Sequence, residues 1–138
     1  MASRLNPYIS FKDNAREAME FYQSVFGGEL NVMTFGQAGM SEDPAERELV
    51  MHATLSTPQG YTLMGADTPA SMGYQPPSGA GITISLSGDA DAEELRGFWD
   101  KLADGGSVTV PLAEAPWGDT FGMCTDRFGV GWMVDIGA

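Results

Sequence analysis

Asn14-Ala15-Arg16-Glu17-Ala18-Met19-Glu20-Phe21-Tyr22-Gln23-Ser24-Val25-Phe26-Gly27-Gly28 decides the reading, because a second stretch repeats its pattern. That stretch runs from Asp91-Ala92-Glu93-Glu94-Leu95 to Leu102-Ala103-Asp104-Gly105-Gly106. Ala15, Ala18, Tyr22, Val25 and Phe26 pair with Ala92, Leu95, Trp99, Leu102 and Ala103 at a constant offset of 77, with Met19 beside the first set. The spacing i, i+3, i+7, i+10, i+11 draws one apolar stripe along a helix. Asn14 with Glu17, and Asp91 with Glu94, have the form of capping boxes at the two helix starts. Gly27-Gly28 and Gly105-Gly106 then supply helix stops, since glycine accepts the left-handed cap conformation.

Outward from each helix the same order of strands appears. Tyr8 to Phe11 precedes the first helix and Ile82 to Leu86 the second. Leu30 to Phe35 and Val108 to Leu112 follow them. Leu49 to Thr57 and Tyr61 to Ala66 close the first half, and Thr120 to Asp126 and Val130 to Ile136 close the second. Thr57-Pro58-Gln59-Gly60 matches Asp126-Arg127-Phe128-Gly129 as a turn, and Met64 matches Met133 at the same offset of 69. The expectation is an α+β single domain over residues 1–138, made of two tandem βαβββ modules, 1–67 and 82–138. Residues 68–81 are the linker, with Pro69, Pro76, Pro77 and three glycines. A sheet with one helix covers only one of its faces. Two such modules are expected to form curved mixed sheets around a cavity. Gly36 to Arg47 and Ala113 to Asp119 read as loops.

Composition narrows the function classes. The 138 residues are 43% hydrophobic and 19% charged, with 19 acidic and 7 basic side chains and a formal net charge of −12. Such a surface repels phosphate backbones and anionic membranes, so neither nucleic acid nor membrane is an expected partner. Cys124 is the single cysteine, in the apolar run Phe121-Gly122-Met123-Cys124, and reads as a buried, inert thiol. With no disulfide framework, no signal-peptide core and no spanning run, the expected location is cytoplasmic.

The motifs now assembled resemble a known superfamily. Asn6-Pro7-Tyr8-Ile9-Ser10-Phe11, the first helix, Val50-Met51-His52-Ala53 and Leu63-Met64-Gly65-Ala66-Asp67 look like the PhnB-like branch of the glyoxalase/bleomycin-resistance (vicinal oxygen chelate) superfamily. Trp117-Gly118-Asp119-Thr120-Phe121-Gly122 and Asp126-Arg127-Phe128-Gly129-Val130-Gly131-Trp132-Met133 resemble it too. The resemblance implies the glyoxalase/bleomycin-resistance fold. It leaves the chemistry open, because that superfamily holds isomerases, dioxygenases, thiol transferases and drug-binding proteins. Its metal-dependent members take His or Glu from the first and last strand of each module. Those positions fall near Asn6 and Gly81, and at Met64 and Met133, where no hard-cation ligand stands. The resemblance therefore implies no metal at the usual place, and no cofactor is expected. It also implies a homodimer, since modules of this superfamily commonly swap or dock across chains and two-fold assembly is the usual oligomer.

Candidate ligand-binding residues follow from chemistry. His52, the only histidine, shares the more polar strand face with Val50, Thr54 and Ser56, which alternate with Leu49, Met51, Ala53 and Leu55. It is a candidate hydrogen-bonding group or general base, set against a purely structural strand histidine. Met64 and Met133 would give a soft floor where a cation otherwise sits, set against simple core filling. Trp117 is a loop aromatic suited to stacking or an interface, Trp132 could face either side, and Trp99 belongs to the helix stripe. Asn6 completes the candidate set. No phosphate-binding glycine loop, dinucleotide fingerprint or nucleophile elbow is present. Three functions are compatible with this reading. One is binding of an unknown small, partly apolar molecule in a metal-free cavity. Another is an enzyme of the lyase, isomerase or dioxygenase type using His52 or an atypical metal site. The third is an assembly protein with a filled interior.

Overall fold

The computed structural model describes residues 5–39, 44–68, 82–88 and 92–137. The chain forms two compact units, Met1–Pro77 and Ser78–Ala138.

Unit 1 runs β1 (Tyr8–Phe11), α1 (Ala15–Phe26), β2 (Glu29–Thr34), α2 (Pro44–Arg47), β3 (Val50–Ser56) and β4 (Thr62–Asp67). Its sheet has the order β1-β4-β3-β2, with β1 parallel to β4 and the other pairs antiparallel. Unit 2 runs β5 (Thr83–Gly88), α3 (Ala92–Ala103), β6 (Ser107–Glu114), β7 (Thr120–Thr125) and β8 (Gly131–Ile136). Its order is β5-β8-β7-β6, with β5 parallel to β8. Each unit is thus an open, mixed, four-stranded sheet with a helix from the βαβββ repeat, the α+β architecture expected.

The helix stripe of unit 1 is buried as read: Ala15, Ala18, Met19, Tyr22, Val25 and Phe26 all face the sheet. In α3 the buried residues are Leu95, Phe98, Trp99 and Leu102. Ala92 and Ala103 sit at the ends of α3 and are only half-buried, while Phe98 joins the core. Glycine makes the next connection possible in both units. A Cβ on Gly28 would overlap the Ser56 carbonyl oxygen, and one on Gly106 the Thr125 carbonyl oxygen. The helix exit therefore lies directly against the end of the third strand at equivalent places. The closing turns match as well. Gly60 N–H donates to Thr57 O at 3.0 Å and Gly129 N–H to Asp126 O at 3.0 Å, with φ of 88° and 87° at the two glycines.

Four expectations need correction. The Asn14 side chain makes no capping hydrogen bond. The Ala15 N–H instead donates to Oδ1 of the buried Asp67, at 2.8 Å. The Asp91 box lies outside the described residues, as does most of the linker. The stretch expected as one loop up to Arg47 ends in the single turn α2, and Ala113 and Glu114 belong to β6. The remaining turn closes through Ala115 N–H to Asp119 O (2.7 Å) and Gly118 N–H to Ala115 O (2.9 Å). Finally, strict alternation along β3 fails at its start. The register passes from Met33 opposite His52 to Thr34 opposite Val50, leaving Met51 as a bulge. Val50 therefore drops into the core, and its N–H donates to Asp67 Oδ2 at 2.8 Å.

Candidate functional site

The two faces of each sheet can be told apart from the glycines on them. A Cβ on Gly65 would meet the Met19 sulfur of α1 at 3.2 Å, so Gly65 and its neighbours of like parity face the helix. Side chains alternate along a strand. Met64 therefore lies on the opposite face, the one that α1 does not cover. Register adds Tyr8, directly beside Met64, and Thr54 on its other side. His52 stands two residues along β3 from Thr54, with Met33 across from it on β2.

On this face the Tyr8 hydroxyl lies 3.1 Å from His52 Nδ1. His52 Nε2 lies 2.9 Å from Thr54 Oγ1. The Tyr8 and His52 rings are 5.6 Å apart and tilted by 36°. Tyr8 thus reaches across β4 to β3, and both nitrogens of the only histidine are engaged by hydroxyls. Burial raises the Tyr8 pKa above its ordinary value. Tyr8 is nevertheless 51% exposed and Met33 47% exposed, while Met64 is half-buried. A polar chain flanked by methionines and open to solvent can hydrogen-bond one part of a molecule and pack against another.

Unit 2 carries a different set on the equivalent face. A Cβ on Gly122 would meet Trp99 of α3 at 2.9 Å, so Gly122, Cys124, Trp132 and Val134 face that helix. Met133 faces away, beside Ser85 on β5 and Met123 on β7. Phe121 stands opposite Asp135, and the 63%-exposed Trp117 meets the Phe121 ring edge-on at 5.7 Å. The Asp135 carboxyl is pushed up by desolvation first, and then by a hydrogen bond to Asp119 and the charge of that group.

The structure thus brings His52 and Met64 together in unit 1, and Met133 and Trp117 lie on or beside the open face of unit 2. Two sequence candidates lie elsewhere. Trp132 is 1% exposed and packed on the α3 side, with its Nε1–H donating to Asp126 Oδ2 at 2.9 Å, so it is core. Asn6 precedes β1, and the strand position paired with Met64 is Tyr8. The equivalent partner of Met133 is Ser85, and Gly81 lies outside the described residues. Tyr8 and Thr54 are the residues that sequence reasoning missed. Period-2 alternation already placed Thr54 with His52, but no sequence signal fixes a parallel register between β1 and β4. Among the described residues, no group of three or more His, Cys, Asp or Glu side chains is gathered for a metal ion. No helix among them is long and apolar enough to cross a membrane.

Comparison with known proteins gives a consistent picture. Residues 4–134 match the profile of the Glyoxalase/Bleomycin resistance protein/Dioxygenase superfamily. Protein YjdN of Escherichia coli (strain K12) is 30% identical over 143 residues, covering 96% of this chain and 94% of that protein. The crystal structure of protein PA1353 from Pseudomonas aeruginosa is similar with a TM-score of 0.82 and 38% identity, over 99% of this chain and 98% of that one. A PhnB protein from Bacillus cereus shares the fold, with a TM-score of 0.76 at 23% identity, over 97% and 99% of the two chains.

Proposed function

Because the chain belongs to the glyoxalase/bleomycin resistance/dioxygenase superfamily, we propose that it binds a small, partly apolar molecule on the open face of the unit 1 sheet. Tyr8, His52 and Thr54 supply the polar anchor, and Met33 and Met64 the apolar contact. The observation that carries this reading is the Tyr8–His52–Thr54 chain itself. Its outer member is half exposed, where burial does not require a hydrogen-bond network. Binding is proposed to be metal-free, since Tyr8 beside Met64 and Ser85 beside Met133 are poor donors for a hard divalent cation.

A thermal-shift screen of small hydrophobic and drug-like compounds tests the reading. Stabilising hits should lose their effect in a Tyr8→Phe/His52→Ala double variant. A screen without a single stabilising compound removes the proposal's main support. A stoichiometric, tightly bound metal in the purified protein contradicts its metal-free part.

The engagement of both His52 nitrogens favours a second reading, an enzyme in which His52 moves a proton. Once a turnover is found, unchanged activity in His52→Ala removes it. We further propose a homodimer in the cytoplasm. Val108 and Val110, exposed on the edge strand β6, suit a subunit contact, and the buried Cys124 thiol suits a reducing compartment. A monomeric mass by light scattering at micromolar concentration counts against the dimer.

A further inference from the structure

We infer that the Tyr8–His52–Thr54 chain is polarised, with His52 protonated on Nδ1 and Tyr8 turning its O–H outward, so that the ligand it selects is a neutral carbonyl compound with an apolar body. This rests on the proposed binding role of that face.

The argument is a count of hydrogens. A neutral imidazole carries one N–H and each hydroxyl one O–H, so three hydrogens serve two internal contacts. One hydrogen is left over, and only two arrangements fit both distances. In the first, Tyr8 donates to Nδ1, Nε2–H donates to Thr54, and the spare hydrogen sits on Thr54. In the second, Thr54 donates to Nε2, Nδ1–H donates to Tyr8, and the spare hydrogen sits on Tyr8.

Burial decides between them. The contact at the Thr54 end is part-buried and that at the Tyr8 end is exposed. An unused donor is costly where water is excluded and nearly free where water can accept it. The second arrangement therefore prevails, and Tyr8 offers a donor to whatever docks on this face. A donor calls for an acceptor on the ligand. An anionic acceptor is disfavoured by the chain's net charge of −12. Neutral acceptors remain, and among these the carbonyl oxygen is a strong one, with a carbon skeleton that would lie against Met33 and Met64.

Two measurements on the full chain test this. His52 is the only histidine, so its ring nitrogens give the single imidazole pattern in long-range proton–nitrogen NMR spectra. The expected pattern is Nδ1–H with unprotonated Nε2 at neutral pH, and the reverse pattern overturns the inference. The second measurement titrates acetophenone against ethylbenzene, which differ in a carbonyl replacing a methylene. Acetophenone should bind about fivefold or more tighter, the equivalent of one modest hydrogen bond. Tyr8→Phe should remove that preference, bringing the two affinities to parity. Equal affinities for the two compounds overturn the carbonyl selection and leave the binding role of the face standing. If neither compound shifts resonances of this face at millimolar concentration, the binding role fails, and the selection with it.

Discussion

The carboxylate of Asp67, at the end of β4, accepts the Ala15 N–H at 2.8 Å and so caps the first turn of α1 from across the unit. Its second oxygen accepts the Val50 N–H, also at 2.8 Å, beside the bulge in β3. One buried side chain thus ties the last strand to the helix start and to the strand that carries His52. Burial raises its pKa even against the two N–H bonds that lower it.

The first prediction follows from that geometry. Asparagine has a single acceptor oxygen, so Asp67→Asn leaves one of the two peptide N–H groups facing an amide NH2 group. The expected cost is about 1–3 kcal/mol, the penalty of one orphaned buried donor. Urea unfolding of the variant at neutral pH checks it. A loss below about 0.5 kcal/mol would mean that the two bonds do not hold in solution.

A second prediction uses the internal repeat as its own control. Gly28→Ala and Gly106→Ala both drive a Cβ into a strand carbonyl oxygen. Gly28 also has φ of 99°, where an L side chain is strained. Both variants should lose about 2 kcal/mol or more, with Gly28→Ala the worse of the two. Thermal unfolding of the pair beside the parent protein gives the ranking. Equal losses would show that the overlap alone sets the cost.

The third concerns Cys124, which is buried with its thiol pushed up to about 11, by desolvation first and then by Asp126. At pH 8 only about one molecule in a thousand would carry the thiolate. The native chain should leave Ellman's reagent unreacted over an hour, and one thiol should appear on adding denaturant. Rapid reaction of the folded protein would show that Cys124 is open to solvent.

Much of this structure could be read from the amino-acid order because each unit repeats a local pattern. Helix stripes, stop glycines and turn glycines leave marks within a dozen residues, and the five stripe residues of α1 and the adjacent Met19 are all buried. What stayed hidden is long-range. Asp67 lies 52 residues from the N–H that it caps, and nothing near Asn14 reveals that its own side chain is unused. Tyr8 meets His52 over a separation of 44 residues, through a parallel register with β4 that no alternation pattern encodes. The bulge at Met51 hid the burial of Val50 for the same reason, since one inserted residue reverses the parity before it. Trp132 was ambiguous until its neighbours Gly122 and Cys124 fixed which face of the sheet α3 covers.

The last prediction concerns the pH dependence of stability, and it isolates Asp135. Its folded pKa lies above the ordinary aspartate value, from desolvation and from Asp119. Below the unfolded pKa, near about 4, both states hold the proton and no penalty arises. As pH rises, the folded chain must eventually ionise a carboxyl that its surroundings disfavour, so stability falls until pH passes the folded pKa. Asp135→Asn removes that proton and keeps a donor facing Asp119 at every pH. The variant should therefore melt at a higher temperature than the parent at pH 7, with the gap closing as pH is lowered toward 3. A gap that is constant with pH would assign the gain to packing. A lower Tm at pH 7 would mean that the Asp135 carboxylate is favoured in the fold, through a partner other than Asp119.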